Sequence, residues 1–406
     1  MMKNLLLILL LLTVSSCKQK GILNENDNTT ERLEEENPVK ERFAKMEAEA
    51  LKEQYSGIFT EKGDSTKLFQ IRPTGISTLP IQQAAEIFLK NLSASQVERT
   101  TFTIDDEEWR KWCNVDNGIY DRQGVSLKEL TDNQKKNALS LIQESLSAKG
   151  LQLSKDIMKT DQTLKELNNG SLDFDEELYF LTIMGKPSST EPWGWQLDGH
   201  HLVINYFILG DQVVMSPVFM GGEPIITTSG KYKGNTIFQD EQNMGLALMQ
   251  SLEPEHQKEA TITKFKTGNN NLAEANKDNL TLNYEGIPVS KFSDEQRQKL
   301  IDLIYLYISN IREGHDKVKM REVLEHIDGT WFSWVGDISE NAVFYYRIHS
   351  PVVLIEFDHQ RVVGVPNADD GKPSRNHIHT VVRTPNGNDY GKDLLRQHKE
   401  RHHHNN

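Results

Sequence analysis

The chain has 406 residues, 37% hydrophobic and 26% charged, the composition of a folded globular protein rather than a fibrous or wholly disordered one. Its net charge of -13, from 46 basic against 59 acidic residues, comes without any basic stripe, and this excludes a nucleic-acid partner, whose recognition needs clustered Lys and Arg. With only 2 cysteines against 13 histidines, a disulfide scaffold is excluded and histidine chemistry comes forward.

The first residues read as a targeting segment. Met1 to Lys3 is a short charged start, residues 5–12 are an uninterrupted apolar run, and Val14-Ser15-Ser16 places small residues before Cys17. The run is too short to cross roughly 30 Å of hydrocarbon, so residues 1–16 are predicted to be a signal peptide. The pattern resembles a bacterial lipoprotein signal, which implies lipidation of Cys17 and a membrane partner through that anchor. Several acyl chains hold firmly, at about 0.8 kcal/mol per buried methylene. Lys18-Gln19-Lys20 lacks an aspartate after Cys17, which favours the outer membrane, on its periplasmic or cell-surface face. Cys113 is then the one remaining cysteine, so no intramolecular disulfide forms. Its neighbours Trp109 and Trp112 point to a packed thiol.

Residues 17–40 are rich in Asn, Asp, Glu and Thr and read as a disordered tether. Amphipathic helices are predicted at 41–55, 81–91, 126–148 and 154–167. Aromatic and β-branched runs follow at 179–185, 195–209 and 212–220, with Gly210-Asp211 as a hairpin turn. Helical blocks return at 240–252 and 293–327, the latter opened by a capping box of Ser293 and Gln296. Strands are expected at 329–333, 342–348, 352–358 and 377–383, and the Asn-rich stretch 268–279 reads as a surface loop or short linker. The sum is an α+β fold, a helical N-terminal region (about 41–170) packed on a largely antiparallel β core (about 175–395), as one continuous module over 41–400.

Two histidine motifs fall in these strands. His377-Ile378-His379 puts two imidazoles on one face of an extended chain, able to grip one metal ion. Gly199-His200-His201 offers a further ligand, and with both on a strand His200 and His201 face opposite ways, so one of them joins the site; parity does not choose which. Glu356 can complete three histidines as fourth ligand or general base. Such a set suits zinc, iron, manganese or copper as divalent cofactor. The metal-free alternative is a histidine cluster for acid/base work. Tyr345, Arg347 and His349 share one strand face, and Arg383 shares a face with His377 and His379. Arg347 and Arg383 are therefore expected to orient an anionic substrate, with Tyr345 and His349 beside it. The bland reading of Arg383 is a salt bridge to Glu356 or Asp389. Trp195 is expected to wall a pocket or stack on a sugar, against the simpler reading of a core residue.

Several segments carry a resemblance to a known family. They are Trp193-Gly194-Trp195-Gln196-Leu197-Asp198-Gly199-His200-His201, Gly221-Gly222-Glu223-Pro224, Tyr345-Tyr346-Arg347-Ile348-His349-Ser350-Pro351 with Glu356, His377-Ile378-His379-Thr380 through Arg383-Thr384-Pro385, Asn388-Asp389-Tyr390-Gly391 and Leu394-Leu395. Over about residues 70–400 the chain resembles domain-of-unknown-function family 3500. The resemblance implies one continuous module and brings no reaction with it.

No Gly-x-Ser-x-Gly elbow, phosphate loop, dinucleotide fingerprint or His-Glu-x-x-His helix occurs, which sets aside serine hydrolase, nucleotide-dependent and zincin chemistry. The leading expectation is an exported, lipid-anchored, metal-dependent hydrolase acting on a small-molecule or glycan substrate. Its competitors are an oxygenase or oxidase in the same cage, and a non-catalytic metal- or glycan-binding lipoprotein. The oligomeric state is not encoded in any pattern of the sequence.

Overall fold

The computed structural model describes residues 37–60, 68–368 and 371–403; the expected signal peptide, Cys17 and the expected tether before Asn37 lie outside them. The β-branched and aromatic runs become long strands: β1 (Tyr179–Gly185), β2 (Trp193–Gly199), β3 (Leu202–Leu209), β4 (Gln212–Gly222), β5 (Trp331–Gly336), β6 (Phe344–His349), β7 (Leu354–Arg361) and β8 (Pro373–Arg383). They lie in the order β5-β6-β7-β8-β4-β3-β2-β1, every neighbour antiparallel. Short edge strands bring the sheet to 12.

Sequence separation explains the order. Each half is a meander of adjacent hairpins, and β4 and β8 join the halves, with His379 opposite Gly221 and Val381 opposite Phe219. The Gly210 turn occurs as predicted, at φ 60° between Leu209 and Gln212.

The helices are α1 (Pro38–Leu51), α2 (Leu79–Asn91), α3 (Asp132–Ser145), α4 (Ala148–Leu167), α5 (Gln239–Ser251), α6 (Asp294–Ile308), α7 (His315–Glu325) and α8 (Lys392–His403), with two shorter ones, Ala94–Thr100 and Pro254–Ala260. α1 starts at Pro38 rather than 41, because the Asn37 side chain accepts from the backbone of Val39 and Lys40. Ser293 and Gln296 form the expected capping box on α6. The predicted block 293–327 breaks into two helices before Gly314, which sits at φ 96°. No helix among the described residues is long and apolar enough to cross a membrane.

The two faces of the sheet differ in cover. One face carries Trp195, Tyr206, Ile355, Phe357 and Tyr346 and packs on helices: the Trp195 indole N–H donates to Ser145 of α3, and the Tyr346 hydroxyl bonds Tyr307 of α6 and the Glu241 carbonyl of α5. The other face carries Gln196, Asp198, Glu356, Asp358, His379 and Arg383 and is covered by irregular chain. Gln196 donates to the Trp109 carbonyl, Asp198 pairs with Arg122 at 3.1 Å, and Asp358 pairs with Lys266 at 2.8 Å. The described residues from Asn37 form one compact unit, a mixed α+β module.

Packing on the helical face is tight enough to test. A Cβ added to Gly245 of α5 would sit 2.3 Å from the Tyr346 ring, which is fully buried and held by its hydroxyl. An exposed Gly→Ala in a helix gains about 1 kcal/mol, whereas overpacking costs about 1–3 kcal/mol. Gly245→Ala is expected to lower the denaturation midpoint; a raised midpoint would show that α5 and the sheet are more loosely packed.

Candidate metal centre

The site begins with a turn. Gly199 pairs with Leu202, so His200 and His201 are not strand residues on opposite faces, as their sequence suggested, but the two-residue connection between β2 and β3. His201 adopts φ 60°, a left-handed conformation that non-glycine residues seldom hold without support. Support comes from both sides: its N–H donates to the Asn114 carbonyl at 3.3 Å, and its carbonyl accepts from Gly221 at 2.8 Å. The turn therefore overhangs the paired ends of β4 and β8, where the His377 and His379 rings stand. Gly221 leaves room there, since a Cβ would lie 3.1 Å from the His379 ring.

Three imidazoles converge. His201 Nε2 lies 3.1 Å from His377 Nε2, which lies 2.9 Å from His379 Nε2. Their outer nitrogens settle what faces inward. His377 Nδ1 lies 2.6 Å from the Arg361 carbonyl and 3.2 Å from Glu223 Oε2, and His379 Nδ1 lies 2.8 Å from Glu274 Oε1. Carbonyls and carboxylates accept, so both Nδ1 atoms carry hydrogen, and in a neutral ring the lone pair is on Nε2. Burial, with the neighbouring imidazoles adding to it, holds His201 and His377 well below the usual histidine pKa. Two inward lone pairs at 2.9 Å repel unless a cation sits between them, either a shared proton or a metal ion. Tetrahedral zinc with Zn–N of about 2.0–2.1 Å would separate its nitrogen ligands by about 3.3 Å, a few tenths more than the observed spacing.

The carboxylates behind the rings are themselves fixed. Glu223 accepts from the backbone of Val363, Gly364 and Val365. His200 lies beside the trio rather than in it: its ring stacks on His201 at 3.8 Å, and its Nδ1 lies 2.7 Å from Asp161 Oδ1. Asp161 also accepts from the Tyr179 hydroxyl at 2.8 Å. No described residue bonds His200 Nε2. All four imidazoles are 2–6% exposed.

The other expected site residues stand elsewhere. Glu356 is no fourth ligand: its oxygens accept from Leu272 and Ala273 N–H and from the Tyr345 hydroxyl at 2.7–3.1 Å, and burial raises its pKa. Tyr345 is thereby committed to Glu356. Arg383 is no substrate clamp but is caged by Asp278 at 2.8 Å, Asp389 at 3.1 Å and the Ala273 and Glu274 carbonyls. Arg347 pairs with Glu285 at 2.5 Å, and His349 stacks on Tyr284 at 4.5 Å. Trp195 lies in the helical core, stacked on Tyr206 at 5.3 Å. The stretch 268–279 is not a free linker, because Glu356 and Arg383 pin its backbone to the sheet. Cys113 is packed, and burial pushes its thiol up to about 12. Asp161, Glu223, Glu274 and Tyr179 also belong to the site, and no motif in the sequence assigns them a role there.

His349 offers a direct test of burial. Its ring is 1% exposed, and burial with Arg347 beside it pushes its pKa down to about 3. The unfolded chain then takes up the proton first, so the folded state loses stability as pH falls from about 6.5 toward 3. His349→Phe, which keeps a ring against Tyr284, is expected to lose less stability than the wild type between pH 7 and 4. Identical losses in urea titrations would show that His349 is hydrated.

Comparison with curated proteins and with solved structures finds no significant match. The chain does match, over residues 74–392, the family described as Protein of unknown function (DUF3500). Since that stretch holds the three converging imidazoles, His200, Asp161, Glu223 and Glu274 and spans most of the sequence, the chain belongs to family DUF3500.

Proposed function

We propose that the protein is an exported metal-dependent hydrolase, held to the outer membrane through a lipid on Cys17, with His201, His377 and His379 binding one divalent metal ion. The observation that carries this reading is the pair of inward Nε2 atoms 2.9 Å apart with both outer nitrogens facing acceptors. Three imidazole nitrogen ligands leave a coordination position for water, and structural zinc sites by contrast use four protein ligands. When bound, the ion would lower the pKa of that water toward neutrality and supply a hydroxide nucleophile.

The chain's own groups divide the remaining work. Glu274 and the Arg361 carbonyl orient the ligand rings with Nε2 turned inward. Asp161 holds His200 with Nδ1–H outward to its carboxylate, so that His200 Nε2 is free to take a proton, the role of an oriented general base. The low exposure of the imidazoles favours a small-molecule substrate over a glycan polymer. That same low exposure supports a second reading, a closed metal centre that staples the β2–β3 turn to β8.

The test uses the full chain with His402, His403 and His404 replaced by Ala, loaded with zinc, manganese, iron(II) or copper and assayed on an aryl ester and an aryl phosphate. Chelation is expected to abolish turnover and reloading to restore it. Glu274→Gln is expected to weaken metal binding about 10–100-fold. Asp161→Asn is expected to keep the metal and lower kcat about 10²–10⁴-fold. Turnover only with a redox-active metal and oxygen would replace hydrolysis by oxidation. A tightly held metal with no turnover of either kind would favour the staple.

A further inference from the structure

On the helical side of the sheet, away from the imidazoles, lies a cavity of about 170 Å³. Its floor is β4 and the end of β8, through Val213, Met215 and Val382. Since His377, His379 and Arg383 alternate with Val382 along β8, this space opens on the opposite face from the candidate metal centre. Ile308, Ile311 and His315 form its wall, and Phe69 roofs it. The roof is a strap of chain held by side chains rather than by sheet pairing: Gln397 donates to the Phe69 carbonyl at 2.6 Å, and Gln212 to the Gln70 carbonyl at 2.9 Å.

His315 is the unexplained group. It is the first residue of α7 and 2% exposed, and neither ring nitrogen has a hydrogen-bond partner among the described residues. Buried polar atoms are nearly always satisfied by protein, water or a ligand. Burial pushes its pKa to about 4, so at neutral pH the ring offers one donor and one acceptor. The rim cations do not ask for an anion: Lys319 pairs with Glu322 at 2.6 Å and donates to the Val352 carbonyl, and Arg72 is exposed. The lining is mixed rather than apolar, with Gln212, Thr384 and Asn388 beside Val213, Met215 and Val382, and by volume a space of about 150 Å³ takes one benzene-sized ring.

We infer that this cavity binds an uncharged, single-ring aromatic compound bearing one hydroxyl or ring N–H, of the phenol or pyrrole class, with that polar group on His315. The site is independent of the metal reading.

Calorimetric titration of the full chain with phenol, toluene and benzoate tests it. Saturable one-to-one phenol binding is expected, at least tenfold tighter than toluene or benzoate. Val318→Trp, placed on the half-buried cavity edge, is expected to abolish binding. His315→Phe is expected to erase the preference for phenol over toluene. Absent saturation, or binding that both variants leave unchanged, overturns the proposal, the latter because it marks an adventitious additive only. Should either variant fail to fold, the wild type decides: benzoate or toluene equal to phenol overturns it.

Discussion

One electrostatic constraint governs the site: the His377 and His379 rings cannot turn away from each other. Each outer nitrogen is already spent on an acceptor, the Arg361 carbonyl for one and the Glu274 carboxylate for the other. Rotating either ring would bury an unsatisfied N–H and a bare carboxylate or carbonyl, at a cost of about 1–3 kcal/mol or more for each group. The inward nitrogens therefore stay where they repel, and His201 is brought to them by a strained turn. A cation relieves all of this at once.

Much of the sheet's polar face serves that arrangement at a distance. Glu274 belongs to a stretch without regular structure, which by itself would hold a carboxylate poorly. Glu356 receives the N–H groups of Leu272 and Ala273, and Arg383 donates to the carbonyls of Ala273 and Glu274. These two buried charges on adjacent strands clamp the segment from both sides. Arg383 is in turn neutralised by Asp278 and Asp389. Leaving such a group without its partner typically costs about 3–5 kcal/mol. Their role is to position Glu274, and through it His379.

Period-two alternation made the β core and the His377/His379 pair legible, and the capping box at Ser293 marked its helix directly. The β2–β3 turn was missed because residues 195–209 read as one aromatic and β-branched run; the Asp198-Gly199 dipeptide was the available turn signal. Glu356 and Arg383 were placed on the right face, but parity says nothing about which loop comes down on that face. Asp161 and Glu274 are near His200 and His379 only through long-range folding, 39 and 105 residues apart in sequence. For Asp161 a faint signal existed, a carboxylate on the buried stripe of α4 between Ile157 and Leu164. Glu223 lay in plain view in Gly221-Gly222-Glu223-Pro224, without a partner to give it a role.

X-ray absorption at the metal edge, on the full chain carrying Ala at 402–404 and loaded with zinc, reads the ligands of the three-histidine site. Three imidazole nitrogens at about 2.0–2.1 Å, completed by a light oxygen scatterer, are expected, with loss of that signature in His379→Ala. A spectrum without imidazole scattering, or one unchanged by that substitution, would contradict the three-histidine site.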